Sequence, residues 1–168
     1  MATPNPWLVG ETPTQALPKD QLEERILNLL GTHNMCVLAT AGEMGPIATP
    51  VRYFSRDFAV MFTASATSPK MRNIQHDPRV SVAIHDPLVN LASSRGAQIF
   101  GTAEVLHSDS QRFGTYWDAF RWESEQIEQG RSPEDDPGLL VVVEAQRIVY
   151  TEHWLRRKGY KSRQVWKR

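Results

Sequence analysis

The sequence predicts a mainly β protein with flanking helices, whose six to seven short antiparallel strands form a closed or split barrel. Short apolar runs recur along the chain between turn residues, which is typical of hairpin-connected strands. Gly101 interrupts one of these runs and indicates a bend where the sheet curls. No Gly-x-Gly-x-x-Gly or phosphate-loop motif follows a strand, which argues against a doubly wound nucleotide-binding fold.

Length and composition favour one globular domain. The chain has 168 residues, of which 40% are hydrophobic and 23% are charged. No apolar run approaches the roughly 20 residues that span a bilayer, and the first residues show no signal pattern. We therefore expect a cytoplasmic protein without a membrane partner. A lone cysteine, Cys36, lies in an apolar strand and is interpreted as a small core residue rather than a nucleophile.

The charge distribution suggests three segments: an extended N-terminal arm (1–19), a domain (20–154) and a basic C-terminal tail (155–168). The net charge is zero, but the last 14 residues hold seven Lys or Arg and no acid. Such a tail can bind nucleic acid, or it can dock on the acidic remainder of its own or a partner chain. Docking is favoured over nucleic acid as a partner, because Trp154 and Trp166 provide apolar anchors.

Helix signals occur in three places. Asp20 and Glu23 resemble a capping box that starts a first helix, and this helix should end near Gly31. A second helix begins at Ser68-Pro69, and helical periodicity over 109–129 predicts a third.

The predicted strands alternate with turns and loops. The first three should form an antiparallel meander, because tight turns join them. The loops are expected at 86–95 and 130–138, and the strands at 35–41, 46–54, 58–63, 79–85, 98–106, 139–143 and 147–154.

The start of the second helix has the residue types of a phosphate site. Ser68 can cap the helix, proline suits its first position, and Lys70 and Arg72 place cations beside its positive dipole end. Pro46 and Pro50 remove two amide donors from the second strand, which predicts an edge strand or a strand whose backbone faces something other than protein. The alternative to a phosphate site at Ser68 is an ordinary helix start, at which Lys70 and Arg72 are solvated surface cations. An open strand edge near the anion site favours a flat, phosphate-bearing cofactor.

Other chemistry finds little support. The five histidines show no metal-ligand spacing, so we expect no metal site. No Gly-x-Ser-x-Gly motif is present, which argues against a serine hydrolase.

Five ordered motifs carry a family resemblance. They are VLAT at Val37 to Thr40, G-P-x-x-x-P-V at Gly45 to Val51, FTASATSPKMRNI at Phe62 to Ile74, DPRVSVAI at Asp77 to Ile84 and GTAEVL at Gly101 to Leu106. Together they resemble the pyridoxamine 5′-phosphate oxidase-like flavin proteins, which have an FMN-binding split barrel. The resemblance runs from about Gln21 to Trp154. It implies a homodimer with two FMN molecules, each bound at the subunit interface and touched by both chains.

The resemblance assigns two strands to the flavin itself. By position, Thr49, Pro50, Val51 and Arg52 would run beside the isoalloxazine ring and the ribityl chain. Phe62 and Thr63, at the end of the third strand, would meet the flavin.

The remaining assignments concern the phosphate and the partner subunit. Ser68 and Lys70 would hold the FMN phosphate. Gln98 falls two positions from the glutamine with which the family contacts FMN across the interface. Trp154 and Arg163 match a tryptophan and an arginine near the C-terminus of the family's oxidases.

The chain departs from the true oxidases in its cations. They place an arginine where this chain has Thr49 and a lysine where it has Phe54, and Pro69 replaces another arginine. We therefore expect an FMN-dependent oxidoreductase acting on an unidentified small organic substrate, not pyridoxal phosphate production; no catalytic residue is identified. The alternatives are a split barrel that binds the deazaflavin F420 or haem, and a non-catalytic flavin-binding or stress protein.

Overall fold

The computed structural model describes residues 10–43, 45–117 and 139–168. The helices are α1 (Lys19–Thr32), α2 (Pro69–His76) and α3 (Gln111–Trp117), and two short 3-10 helices cover Leu91–Ser93 and His153–Lys158. The strands are β1 (Met35–Thr40), β2 (Ile47–Arg52), β3 (Phe54–Arg56), β4 (Ala59–Ala64), β5 (Arg79–His85), β6 (Arg95–Leu106), β7 (Leu139–Glu152) and β8 (Arg163–Lys167).

All eight strands belong to one antiparallel sheet with the order β2-β1-β5-β6-β7-β4-β3, and β8 also pairs with β7. β2 and β3 lie at opposite ends of this order, yet only Tyr53 separates them along the chain. The sheet must therefore curl until its two edges approach each other. This confirms the prediction of a mainly β, antiparallel split barrel with flanking helices.

Tyr53 holds the closure in place. Its side chain is 1% exposed, its amide donates to the carbonyl of Asn34 at 2.8 Å, and its hydroxyl donates to the carbonyl of Leu30 at 2.9 Å. A buried hydroxyl with a partner avoids a desolvation penalty. Tyr53 thus joins the closing sheet edges to the end of α1.

The core fills the barrel. On β5 the buried residues Val80, Val82 and Ile84 alternate with more exposed ones, as a strand with one face in the core requires. The predicted apolar face of α1 packs into the same cluster through Leu22, Ile26, Leu29 and Leu30. A smaller apolar cluster on the outside of β4 and β7 is covered by α3.

Gly101 lies at a bulge between β6 and β7, as predicted. Phe100 pairs with Arg147 and Gly101 pairs with Ala145, so Gln146 is an extra residue on β7. A Cβ atom on Gly101 would lie 2.3 Å from the carbonyl oxygen of Glu144. Only glycine fits this close approach of two backbones.

Three predictions about the strands were wrong. The predicted strand 46–54 ends at Arg52, and the next three residues pair with β4 as β3. The three-strand meander does not form, because β2 pairs with β1 while β4 pairs with β3 and β7. The predicted strands 139–143 and 147–154 are one strand, β7, because the bulge absorbs its polar middle.

The predicted capping box of α1 was also wrong. Pro18 occupies the cap position of α1 without a side-chain hydrogen bond, and its carbonyl accepts from the amide of Leu22. The carboxylate of Glu23 instead accepts from the indole Nε1 of Trp166 at 2.7 Å. This bond joins α1 to β8.

The C-terminal residues dock on their own chain, as favoured from the sequence. β8 pairs with β7 from Arg147–Lys167 to Thr151–Arg163, and Arg168 donates to Glu144 at 2.6 Å. The third helix is described only over Gln111–Trp117. The rest of its predicted range and the predicted loop 130–138 lie outside the described residues. In the portion of the chain described, no helix combines the length and apolarity needed to cross a bilayer.

Candidate functional site

The start of α2 contains the buried hydroxyl of Ser68. Ser68 occupies the cap position and Pro69 the first helical position, as predicted. The side chain of Ser68 does not cap the helix, so that expectation was wrong. Its Oγ is buried and has no hydrogen-bond partner among the residues that the structure describes. Because a buried hydroxyl without a partner is costly, this atom is suited to a ligand.

The surroundings of Ser68 favour an anion. The first turn of α2 contains no acidic residue, Lys70 is half-buried there, and Arg72 is exposed one turn along. Just before the helix, Ser65 Oγ and Thr67 Oγ1 lie 3.2 Å apart in a turn closed by the bond from the Ser68 amide to the Ser65 carbonyl. Hydroxyls, cations and the positive helix end are the groups that bind phosphate.

β2 approaches α2 through the turn that precedes it. The turn carbonyl of Gly45 accepts from the side-chain amide of Asn73 on α2 at 3.1 Å. Within the described residues, β2 pairs with β1 alone, so its outer edge is open, as its prolines predicted. Thr49 is half-buried and Val51 is buried on the inner side, while Pro50 is exposed on the outer side.

The other residues assigned to this region differ in accessibility. The Arg52 guanidinium lies 5.3 Å from the ring centroid of Phe54, a cation–π contact. Thr63 is exposed near the end of β4. Phe62 is 1% exposed in the core, so it can contact a ligand only through its backbone.

Gln98 and Arg163 belong to a second region, where they line a cavity of about 300 Å³ that we term the second cavity. Gln98 pairs with Val149, and Arg163 pairs with Thr151 two residues along the same strand. Trp154 lies on the 3-10 helix after β7 and is 43% exposed. The Arg157 guanidinium lies 5.3 Å from its ring centroid, a cation–π contact.

The two groups of predicted residues are separated within one chain. Pro50, Val37, Ala83 and Gln98 follow one another across β2, β1, β5 and β6. Three strand spacings of about 4.8 Å place Gln98 about 14 Å from Pro50. The structure therefore keeps Gln98 apart from β2.

An ion-pair network supports the wall of the second cavity. Arg95 Nε donates to Asp86 Oδ2 at 2.8 Å, and His33 Nε2 lies 2.9 Å from Asp86 Oδ1. The hydrogen bond from Arg95 holds the pKa of the Asp86 carboxyl below its usual range. Arg95 is thus engaged by Asp86, whereas Arg163 and His85 are exposed in the cavity.

Several polar residues of these regions were missed from the sequence. Ser65 and Thr67 lie in the turn before Ser68, Asn73 joins α2 to the turn before β2, and Thr151 and His85 line the second cavity. The Ser-Ala-Thr-Ser run before α2 was a usable signal, since hydroxyls cluster at phosphate sites. No local signal marks Thr151, which the strand register brings beside Arg163.

Neither cysteine nor metal chemistry has support in this geometry. Cys36 is 4% exposed, and burial raises the pKa of its thiol to about 12. The described part of the chain contains no group of three or more His, Cys, Asp or Glu placed to hold a metal ion.

Known proteins share this sequence pattern and fold. A model of the family described as pyridoxamine 5′-phosphate oxidase matches residues 22–152. The General Stress Protein 26 from Bacillus anthracis str. Sterne is 18% identical, with 88% of this chain and 99% of that chain covered and a TM-score of 0.65.

Two further solved structures carry other descriptions. A heme binding protein from Mycobacterium smegmatis is 22% identical, with 91% of this chain and 60% of that chain covered and a TM-score of 0.64. A FAD-binding protein from Mesorhizobium loti is 17% identical, with 74% and 88% covered and a TM-score of 0.59. A search among curated proteins returns no match to this chain. At these identities the solved structures establish a common fold.

Proposed function

The chain belongs to the pyridoxamine 5′-phosphate oxidase family, and from this premise we propose that it is an FMN-dependent oxidoreductase acting on a small organic substrate. One observation supports the choice of FMN: the buried hydroxyl of Ser68 at the start of α2 has no hydrogen-bond partner within the described part of the chain, and it lies beside Lys70 in a turn without an acid. A phosphate monoester supplies the acceptor oxygens and the negative charge that these groups lack.

The residues present fit the rest of the cofactor. The open edge of β2 offers backbone groups to the polar rim of a flavin ring, and Thr49 offers a neutral hydroxyl. Thr63, exposed at the end of β4, lies between this strand edge and Ser68 along the chain. FMN would supply hydride transfer when bound, while the protein binds and orients it. No side chain in this group is identified as a general base.

We propose that a second copy of the chain completes the site with Gln98, Arg163 and Trp154. The separation of about 14 Å, or three strand spacings, keeps Gln98 away from β2 of its own chain. The outer face of the sheet also suits a self-association surface. One uncharged row crosses six strands and consists of Pro50, Val37, Ala83, Gln98, Val149 and Val165.

The cofactor assignment is tested by FMN retention. Protein purified with FMN should be yellow and release FMN on denaturation. Replacing both Ser68 and Lys70 with alanine should weaken FMN binding roughly 10- to 100-fold, because hydrogen bonds to a charged group are lost. The matched control is Lys158→Ala, an exposed lysine in the 3-10 helix after β7. Unchanged FMN affinity in the double variant would contradict the phosphate assignment.

The homodimer is tested by its mass in solution. The chain has a mass of 19.1 kDa, and light scattering should give about twice that mass. Ala83→Arg places a charge in the middle of the uncharged row and should yield monomers that retain FMN poorly. Gln21→Arg, on the exposed side of α1, should leave the dimer intact. A monomeric parent protein that binds FMN tightly would exclude the shared site.

Haem binding is the second candidate, and His85 favours it. His85 is exposed in the cavity lined by Gln98, and its Nδ1 lies 2.9 Å from the carbonyl oxygen of Asp86. That contact makes Nδ1 the donor and leaves Nε2 able to ligate iron. A Soret band with added haem that disappears in His85→Ala would support this function, while absence of haem binding at equimolar haem would dismiss it.

Spectroscopy and turnover separate the remaining alternatives. Retention of the deazaflavin F420 in place of FMN would show as its own absorbance band. A yellow protein that does not turn over with NAD(P)H and a range of acceptors would favour a non-catalytic flavin-binding or stress role.

A further inference from the structure

Asn73 joins α2 to the turn between β1 and β2. The side chain is 1% exposed, and its Nδ2 donates to the carbonyl of Gly45 at 3.1 Å and to Thr40 Oγ1 at 3.3 Å. Thr40 is 4% exposed, so both side chains of the Asn73–Thr40 hydrogen bond lie away from water. A buried amide with two acceptors is held in a defined orientation.

The turn and the helix also touch through their backbones. A Cβ atom on Gly42 would lie 2.5 Å from Asn73 Oδ1 and 3.0 Å from the Cα atom of Asn73. Gly45 adopts a φ of +80°, which favours glycine. Gly42 therefore lets the turn approach α2 closely, Gly45 lets the backbone turn, and Asn73 is the helix residue against which the turn is placed.

This contact connects the two elements proposed to hold FMN. Ser68 and Lys70 begin the helix that contains Asn73, and β2 begins at Ile47, two residues after the turn carbonyl of Gly45. The other buried residues of α2 include Met71 and Ile74, which pack into the core. Apolar packing is not directional, so these contacts resist sliding of the helix less than oriented hydrogen bonds do.

We propose that Asn73 is a positioning residue that fixes the spacing between the Ser68 phosphate site and the β2 edge, and so makes binding selective for a phosphorylated flavin. This inference rests on the proposed function. Asn73 acts through the turn and the helix, and it holds the hydroxyl of Ser68 at the distance from β2 that the length of the flavin side chain sets.

The test compares FMN with riboflavin, which has the same ring and side chain but lacks the phosphate. Asn73→Leu keeps the number and branching of the side-chain heavy atoms and removes both hydrogen bonds. We expect FMN affinity to fall about tenfold or more, the equivalent of one to two lost buried hydrogen bonds, while riboflavin affinity changes less than about threefold. Thr40→Val removes one of the two acceptors and should give a smaller shift in the same direction; it also serves if Asn73→Leu does not fold.

Gln164 provides a matched control because its amide is equally buried. It is 1% exposed, accepts from the amide of Leu17 at 3.1 Å and donates to the carbonyl of Lys161 at 2.6 Å. Gln164→Leu should lower the melting temperature and leave the ratio of FMN to riboflavin affinity at its parent value. A stability effect alone would not change this ratio.

The outcomes separate this inference from the proposed function. A parent protein that prefers FMN over riboflavin, with an unchanged ratio in Asn73→Leu or Thr40→Val, overturns only the role of Asn73. Equal losses for both ligands also overturn it. A parent protein that binds neither ligand, or binds both equally, overturns the phosphate site together with the inference.

Discussion

Replacing Gly101 with alanine is expected to destabilise the protein through a clash between two strands. The new Cβ atom would lie 2.3 Å from the carbonyl oxygen of Glu144, 3.2 Å from its carbonyl carbon and 3.1 Å from Val143 Cγ1. A relaxed contact needs more than 3 Å, so β6 and β7 must separate by several tenths of an ångström where they are hydrogen-bonded. Overpacking of this kind costs about 1 to 3 kcal/mol.

Thermal and urea unfolding measure this cost. For a chain of this length, 1 kcal/mol corresponds to a change in melting temperature of roughly 2–4 °C, so we expect a decrease of about 2–12 °C. Gly31→Ala is the matched control, because a Cβ atom on Gly31 in α1 meets nothing within 4 Å. Alanine should stabilise that helix position by up to about 1 kcal/mol. A Gly101→Ala variant as stable as Gly31→Ala would refute the close approach of the strands.

Three further predictions concern buried and paired groups. Arg25→Met should lower the free energy of unfolding, measured by urea titration, by about 3 kcal/mol. It removes two hydrogen bonds, of 3.0 and 2.8 Å, to the buried carboxylate of Glu152. An unchanged free energy of unfolding would contradict the role of this pair. Asp86 has a lowered pKa, so its stabilisation is complete above the unfolded pKa of about 3.9 and is lost as the pH falls through the folded value. The stability difference between the parent and Asp86→Asn should therefore shrink between about pH 5 and pH 3, and a constant difference would count against the pairing with Arg95. The Cys36 thiol, with its pKa raised to about 12, should resist iodoacetamide at pH 8 until urea unfolds the chain, and rapid labelling of the folded protein would argue against its burial.

The sequence predicts well what depends on local patterns. The span of β5 is predicted as Arg79–His85, because large apolar residues alternate there with small or polar ones. Gly101 is identified as a bend because a glycine inside an apolar strand has few other uses. The start of α2 at Ser68-Pro69 follows from the preference of proline for the first helical position.

Features that depend on distant partners could not be predicted. The break at Tyr53 arises because the chain passes from one sheet edge to the other, and its amide pairs with Asn34 instead of a strand neighbour. The capping box failed because Glu23 pairs with Trp166, which is far along the chain. For the same reason the sequence did not identify Asn73 as a contact of the β1–β2 turn.

The position of the FMN phosphate can be determined in a crystal structure of the protein soaked with FMN. We expect the phosphate to lie within hydrogen-bond distance of Ser68 Oγ and near Lys70, with the ring along the open edge of β2. Ordered FMN whose phosphate lies elsewhere, or a Ser68 hydroxyl that contacts no ligand at full occupancy of the cofactor, would contradict this expectation.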